Sequence, residues 1–146
     1  MTPAGPFGRG LLLDDGDLVF DGRRLREVEG VANLVQALTL RVLTPFGSDR
    51  FNTGYGLDLA QVFAEPSGIR MVKELIKLNL VSTLSGDPRV REVRQVVFDD
   101  DPDRLAAHPE LAASAREATH RRNWTVEVDL VTVDGTALTL PVNVEV

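Results

Sequence analysis

"WTVEVDLVTVDGTALTLPVNVEV", residues 124–146, alternates apolar and polar side chains almost without a break. Trp124, Val126, Val128 and Leu130 share one face of an extended chain, with Thr125, Glu127 and Asp129 on the other. Past Asp134-Gly135, Leu138, Leu140, Val142, Val144 and Val146 alternate with Thr139, Pro141, Asn143 and Glu145. This is the pattern of a half-buried antiparallel hairpin, and the turn decides its register. A tight two-residue turn at Asp134-Gly135 would set Leu140 opposite Asp129 and throw the apolar sets onto opposite faces. A three-residue loop, with Gly135 in a left-handed bulge position, pairs Leu138 with Leu130, Leu140 with Val128, Val142 with Val126 and Val144 with Trp124. The pattern selects the bulged loop. In that register Ala137, Thr139, Pro141, Asn143 and Glu145 turn their backbone groups away from the partner strand. The missing N–H of Pro141 then costs the ladder nothing, and the terminal strand is expected to be a free edge.

Upstream, "RVREVRQVVFD" (89–99) is β-rich without clean alternation, which predicts a third strand with a bulge. Before it, "SGIRMVKELIKLNLVSTL" (67–84) places Ile69, Val72, Ile76 and Leu80 on one helical stripe that Leu75 and Leu78 widen. Ser67 after Pro66 reads as its N-cap, Gly86 as a left-handed stop, and Pro88 cannot continue the helix. That punctuation accounts for Gly86 and Pro88 and requires nothing of Arg89. A first helix in "EGVANLVQALTLRVLT" (29–44) carries Val31, Leu34, Val35, Leu38 and Val42 and ends at Thr44-Pro45. Between the helices, residues 45–68 are rich in Gly, Asn and Pro yet hold Phe46, Phe51, Tyr55 and Phe63. This predicts an ordered loop pinned to the core by aromatic anchors, with a helical turn from Leu57 to Phe63.

Residues 1–10 read as a flexible arm, and "DLVFDGRRLREV" (17–28) as a small hairpin whose two-residue turn at Asp21-Gly22 sets Leu18 opposite Leu25. Residues 99–122, from "DDDPD" through an alanine-rich run, read as a solvated insertion with one short helix. The two histidines, His108 and His120, fall there and are taken as surface residues, and the acids lack the spacing of a calcium loop. The expected architecture is a single α+β domain over 1–146: two long helices packed on an antiparallel sheet of about three strands, with the arm and small hairpin in front.

The 146 residues contain no cysteine, which removes disulfides and thiolate chemistry. A net charge of −6 from 22 acids against 16 lysines and arginines argues against nucleic acid as a partner. No apolar leader or membrane-length run is present, so no membrane partner is expected. Phosphate-binding glycine loops, a serine elbow and a zinc-binding H-E-x-x-H are all missing. Glycoside hydrolysis needs only two carboxylates flanking a cleft, and the acids considered for it, Glu65, Glu74 and Asp87, read more simply as a loop acid, a helix-surface acid and part of a turn.

Taken in order, "GVANLVQALTLRVLTPFG", "YGLDL", a long amphipathic helix, "DPRV" opening a strand, and a terminal hairpin resemble the small baseplate wedge and sheath-initiator family. That family serves contractile phage tails, type VI secretion baseplates and extracellular contractile injection systems. Its members show a Thr-Pro-x-Gly-like helix end, a later Tyr-Gly, and a Glu-Pro-Arg tripeptide before the sheet. Thr44-Pro45-Phe46-Gly47, Tyr55-Gly56 and Asp87-Pro88-Arg89 stand in those places here, with Asp87 for the usual glutamate. The resemblance covers residues 29–98 by motif and the terminal hairpin by pattern.

The resemblance implies a structural, non-enzymatic baseplate component that needs no cofactor and sits in several copies in a sixfold assembly. Its partners would be wedge subunits, sheath protein and hub or tube-proximal proteins, assembled in the cytoplasm within a phage tail-like particle. It further implies that Asp87, Pro88 and Arg89 face a wedge partner, beside Tyr55 and Gly56, and that Thr139, Pro141, Asn143 and Glu145 border the edge where a sheath strand adds. Two alternatives stand beside it: a lysozyme-like glycosidase of a tail baseplate, because some relatives carry that label, and a soluble adaptor unrelated to injection machines.

Overall fold

The computed structural model describes residues 5–64 and 68–146. Its fold class is α+β, with five α-helices, several small antiparallel ribbons and one three-stranded antiparallel sheet. The sheet is built from β7 (Val90–Phe98), β8 (Asn123–Thr132) and β9 (Ala137–Glu145) in the order β7-β8-β9. Pairing of β8 with β9 follows the bulged-loop register throughout: Leu130↔Leu138, Val128↔Leu140, Val126↔Val142 and Trp124↔Val144. Gly135, at φ 88, takes the left-handed position that the three-residue loop requires. The other pairing is irregular, with register shifts between Val90 and Glu92 and between Val93 and Gln95, the bulging expected from the broken alternation.

Helix α1 (Gly30–Leu43) buries Leu34, Leu38 and Val42, and helix α3 (Ile69–Ser85) buries Val72, Ile76, Leu80 and Leu84. These side chains meet Trp124, Val126, Val128, Leu130, Leu140, Val142 and Val144 in one apolar core. Phe98 stands edge-on to Trp124, with ring centroids 5.9 Å apart. Ser67, read as the cap of α3, lies outside the described residues, and Gly68 occupies the cap position without a side-chain bond. At the other end Gly86 is right-handed, not left-handed: φ is −73, and α3 closes with Gly86 N donating to the Thr83 carbonyl. A Cβ at residue 86 would lie 2.8 Å from Nη2 of Arg41 and 3.2 Å from the Thr83 carbonyl oxygen, so a larger residue would displace the tip of the arginine, and backbone handedness is not what places glycine there.

The front of the chain is more structured than a flexible arm and one hairpin. Phe7 is buried in the core, and β1 (Arg9–Leu11) pairs with β6 (Glu27–Glu29). Two further ribbons follow, β2 (Leu13–Asp14) with β3 (Asp17–Leu18) and β4 (Phe20–Asp21) with β5 (Arg24–Leu25). Leu18 therefore faces Leu13, not Leu25. The tight turn after Phe20 lies one residue later than expected, on Gly22-Arg23, and Asp15-Gly16 makes a turn of its own with positive φ at both residues.

Residues 99–122 hold two helices and a 3₁₀ turn where one short helix was expected: α4 (Pro102–Ala107), Pro109–Leu111 and α5 (Ala112–Arg121). They are tied down at both flanks. Asp100, 10% exposed at its side chain, accepts from Lys73 and from the Thr119 hydroxyl, while Arg104 pairs with Glu127 of β8 at 2.9 Å. Lys73 also lies 5.4 Å and 5.6 Å from the ring centroids of Phe98 and Trp124. The histidines are at the surface, as expected.

The loop after α1 is ordered, but of its expected aromatic anchors only Tyr55 is drawn in, half-buried under Arg41. Phe51 is fully exposed and Phe46 and Phe63 are mostly so, whereas Leu57 and Val62, on or beside α2 (Ala60–Ala64), are buried. Backbone bonds complete the docking: Leu57 N donates to the Thr44 carbonyl and Phe46 N to the Leu57 carbonyl. Anchoring by aliphatic side chains and backbone makes a direct prediction. Phe51→Ser should change unfolding free energy by less than about 0.5 kcal/mol, whereas Leu57→Ala should lower it by about 2–4 kcal/mol in urea titration.

Candidate functional site

The three motif stretches converge. Thr44 ends α1, and its carbonyl receives Leu57 N at 2.9 Å. Gly56, between them, has φ 111, and a Cβ at that position would lie 2.4 Å from the Thr44 carbonyl oxygen. Only glycine lets the two backbones close this far. The Gly56 carbonyl accepts from the Thr83 hydroxyl at 2.6 Å, and that hydroxyl accepts from Arg41 Nε at 3.1 Å. The Arg41 guanidinium also lies over the Tyr55 ring, 4.9 Å from its centroid. Burial pushes the Tyr55 phenol up from its ordinary range, against the opposing pull of Arg41.

Asp87-Pro88-Arg89 closes the cluster from the other side. Arg89 forks Asp87, Nε to Oδ1 at 3.0 Å and Nη2 to Oδ2 at 2.8 Å, and Arg89 N also donates to Oδ1 at 2.9 Å. Its Nη1 donates to the Phe7 carbonyl at 3.1 Å, where Asn33 Nδ2 also donates at 2.8 Å. The Arg89 carbonyl accepts from Val133 N, so the residue that makes the fork also joins the turn of the terminal hairpin. Asp87 is 7% exposed, and burial alone would raise its pKa. The hydrogen bonds and charge of Arg89 outweigh that and hold the carboxyl below its ordinary range.

The Arg89 guanidinium makes a local ion pair with Asp87 and is turned back toward its own chain. All three of its nitrogens donate within the chain, because the short aspartate and the proline turn fold the side chain back on its own loop. Asp87, ionised and bound at both oxygens, has no proton to give as a general acid near neutral pH. Glu74 lies on the helix surface beside Lys77, and Glu65 lies outside the described residues. Asn33 and Arg41 escaped the sequence reading. The signal was there in two polar residues flanking the buried stripe of α1, one of them buried itself.

The second group of expected residues lies on the opposite edge of the sheet. Thr139, Pro141, Asn143 and Glu145 have exposed side chains on β9, and Thr139 donates to Asp129 at 2.6 Å. The bonds Thr132 N to the Thr136 carbonyl and Val146 N to the Arg122 carbonyl fix the parity of the ladder, turning residues 137, 139, 141, 143 and 145 outward. Among the described residues, no strand pairs with that side. No metal-binding group of His, Cys, Asp or Glu occurs among the described residues, and none of their helices is long and apolar enough to cross a membrane. No protein-family model, curated protein or solved structure matches the chain.

The fork predicts both a stability loss and its pH dependence. Arg89→Ala should destabilise the fold by about 2–3 kcal/mol, since it strands a buried carboxylate and removes charged hydrogen bonds. Because the folded pKa of Asp87 is depressed, its contribution is fully present above the unfolded value near 3.8 and is lost as pH falls through the folded one. Urea unfolding from pH 6 to 2.5 should therefore show a shallower acid-side decline for Arg89→Ala than for the parent chain.

Proposed function

We propose that this protein is a structural baseplate component of a contractile injection machine, binding wedge subunits and nucleating sheath assembly by strand addition. The observation that carries the reading is the outer side of β9: a regular, unbulged edge whose outward groups belong to residues 137, 139, 141, 143 and 145. An added strand recovers main-chain hydrogen bonds there and takes its specificity from alternate side chains. Pro141 deletes one outward donor from that edge, and Glu145 adds a charge, the usual guards against promiscuous pairing. The motif order of the chain supplies the class of partner. In this reading α1 and α3 are the two helices backing the docking sheet.

The wedge contact fits the tripeptide less directly than a free arginine would. The Asp87-Arg89 fork works as a rigid corner, and a wedge subunit would meet the surface that this corner shapes around Tyr55, which the buried Gly56 turn holds in place. The function is structural, needs no cofactor, and is exercised in a particle assembled in the cytoplasm.

Asn143→Pro tests the edge, because it removes one more outward donor without touching the bonds to β8. The variant should keep a thermal melt close to that of the parent and should lower sheath nucleation on reconstituted baseplates at least tenfold. Normal sheath assembly by a folded variant would refute docking at β9.

A further inference from the structure

Helix α1 carries a second apolar strip beside its core stripe, and of its residues only Val35 also packs against the core. Ala32, Val35, Leu40 and Leu43 run along it, and the β2–β3 ribbon, through Leu13, Asp15 and Gly16, walls it on one side. The groove between them measures about 650 Å³. Residues 32–43 span about 16 Å of helix, close to three turns. Leu43 is 64% exposed and Leu40 38%, so the face is uncovered among the described residues.

Two features select what would fill it. The polar side chains on the floor are already engaged: Gln36 accepts from Leu13 N at 2.9 Å and donates to the Leu11 carbonyl at 2.7 Å, and Thr39 donates to the Val35 carbonyl at 2.9 Å. A strand entering the groove would find few partners for its backbone, whereas a helix arrives with its backbone bonds satisfied and offers a matching apolar stripe. The charge on the wall is of one sign. Asp15 is the charged residue that lines the groove, and no lysine or arginine lines it among the described residues. We propose that this groove docks an amphipathic helix of a partner protein whose apolar stripe is flanked by lysine and arginine. The inference does not rest on strand addition at β9, which lies on the sheet and uses backbone groups.

The probe is a hydrocarbon-stapled 14-residue helix with a leucine stripe at i, i+3, i+4, i+7 and Lys/Arg flanks, compared with the same stripe flanked by Glu. Titrated into the full chain, the basic helix should shift the backbone amide resonances of residues 13–18 and 32–43 and bind at least tenfold more tightly than the acidic one. Asp15→Asn should weaken it at least fivefold, and Leu40→Glu should abolish binding; Leu43→Glu, at a more exposed position, replaces Leu40→Glu should that variant not fold. Absence of shifts with either helix, or equal binding of both, overturns the proposal. So does a concentration-dependent oligomer that Leu40→Glu or Leu43→Glu dissolves and the basic helix does not, which would assign the groove to a second copy.

Discussion

A buried carboxylate cannot be left alone, and in this protein the solution to that constraint organises one end of the fold. Asp87 follows directly on the α3 terminus, where the chain must reverse to start the sheet. Its charge is tolerated at 7% exposure because Arg89 meets it with two side-chain bonds and one backbone bond. Once the guanidinium is fixed in that plane, its third nitrogen, Nη1, lies where the Phe7 carbonyl arrives, and Asn33 of α1 donates to the same carbonyl. One ion pair thereby sets the entry to β7, the seat of the N-terminal segment and the contact to α1. Replacing arginine by lysine would keep the charge and lose the fork, since an ammonium cannot serve both oxygens and a third acceptor in one plane.

Arg41 does on the neighbouring side what Arg89 does at the corner. Its Nε holds Thr83, its plane covers Tyr55, and its Nη2 occupies the space that the bare Cα of Gly86 leaves. The motif stretches 44–47, 55–56 and 87–89 are dispersed in sequence, yet their roles interlock: the turn at Gly56 exists so that the loop can lie on the end of α1, and the polar chain from Gly56 through Thr83 to Arg41 fastens that loop to α3. Their common origin is local packing, which is a reason for those residue types independent of any partner.

Alternating pattern made the terminal hairpin legible down to individual pairs, because a one-residue slip would bury Asp129 against Leu140 and no compensation is available. The stripes of α1 and α3 were legible for the same reason. Three things were not. The ribbons between Arg9 and Glu29 are two or three residues long, too short for periodicity to register, and their turns hinge on which of two adjacent residues takes positive φ. Aromatic content alone does not reveal the loop anchors: Leu57 and Val62 sit beside backbone bonds that pull them in and Tyr55 lies under Arg41, while nothing pulls in Phe51. The direction of Arg89 depended on the reach of its side chain back to residues 7 and 87, and a contact across 82 positions leaves no trace in local pattern.

The two edges of the sheet are unlike, and that difference bears on self-association. Along β7 the ladder slips twice, so a foreign strand laid against its outer side would fall out of step. Along β9 the ladder is continuous, but Pro141 sits at its midpoint. Two copies pairing β9 to β9 about a twofold axis at that residue would bring their prolines face to face and lose two donors at one spot. A different strand, with an ordinary residue there, loses one. Pairing at β9 is thereby biased toward unlike strands and against a second copy of the same chain.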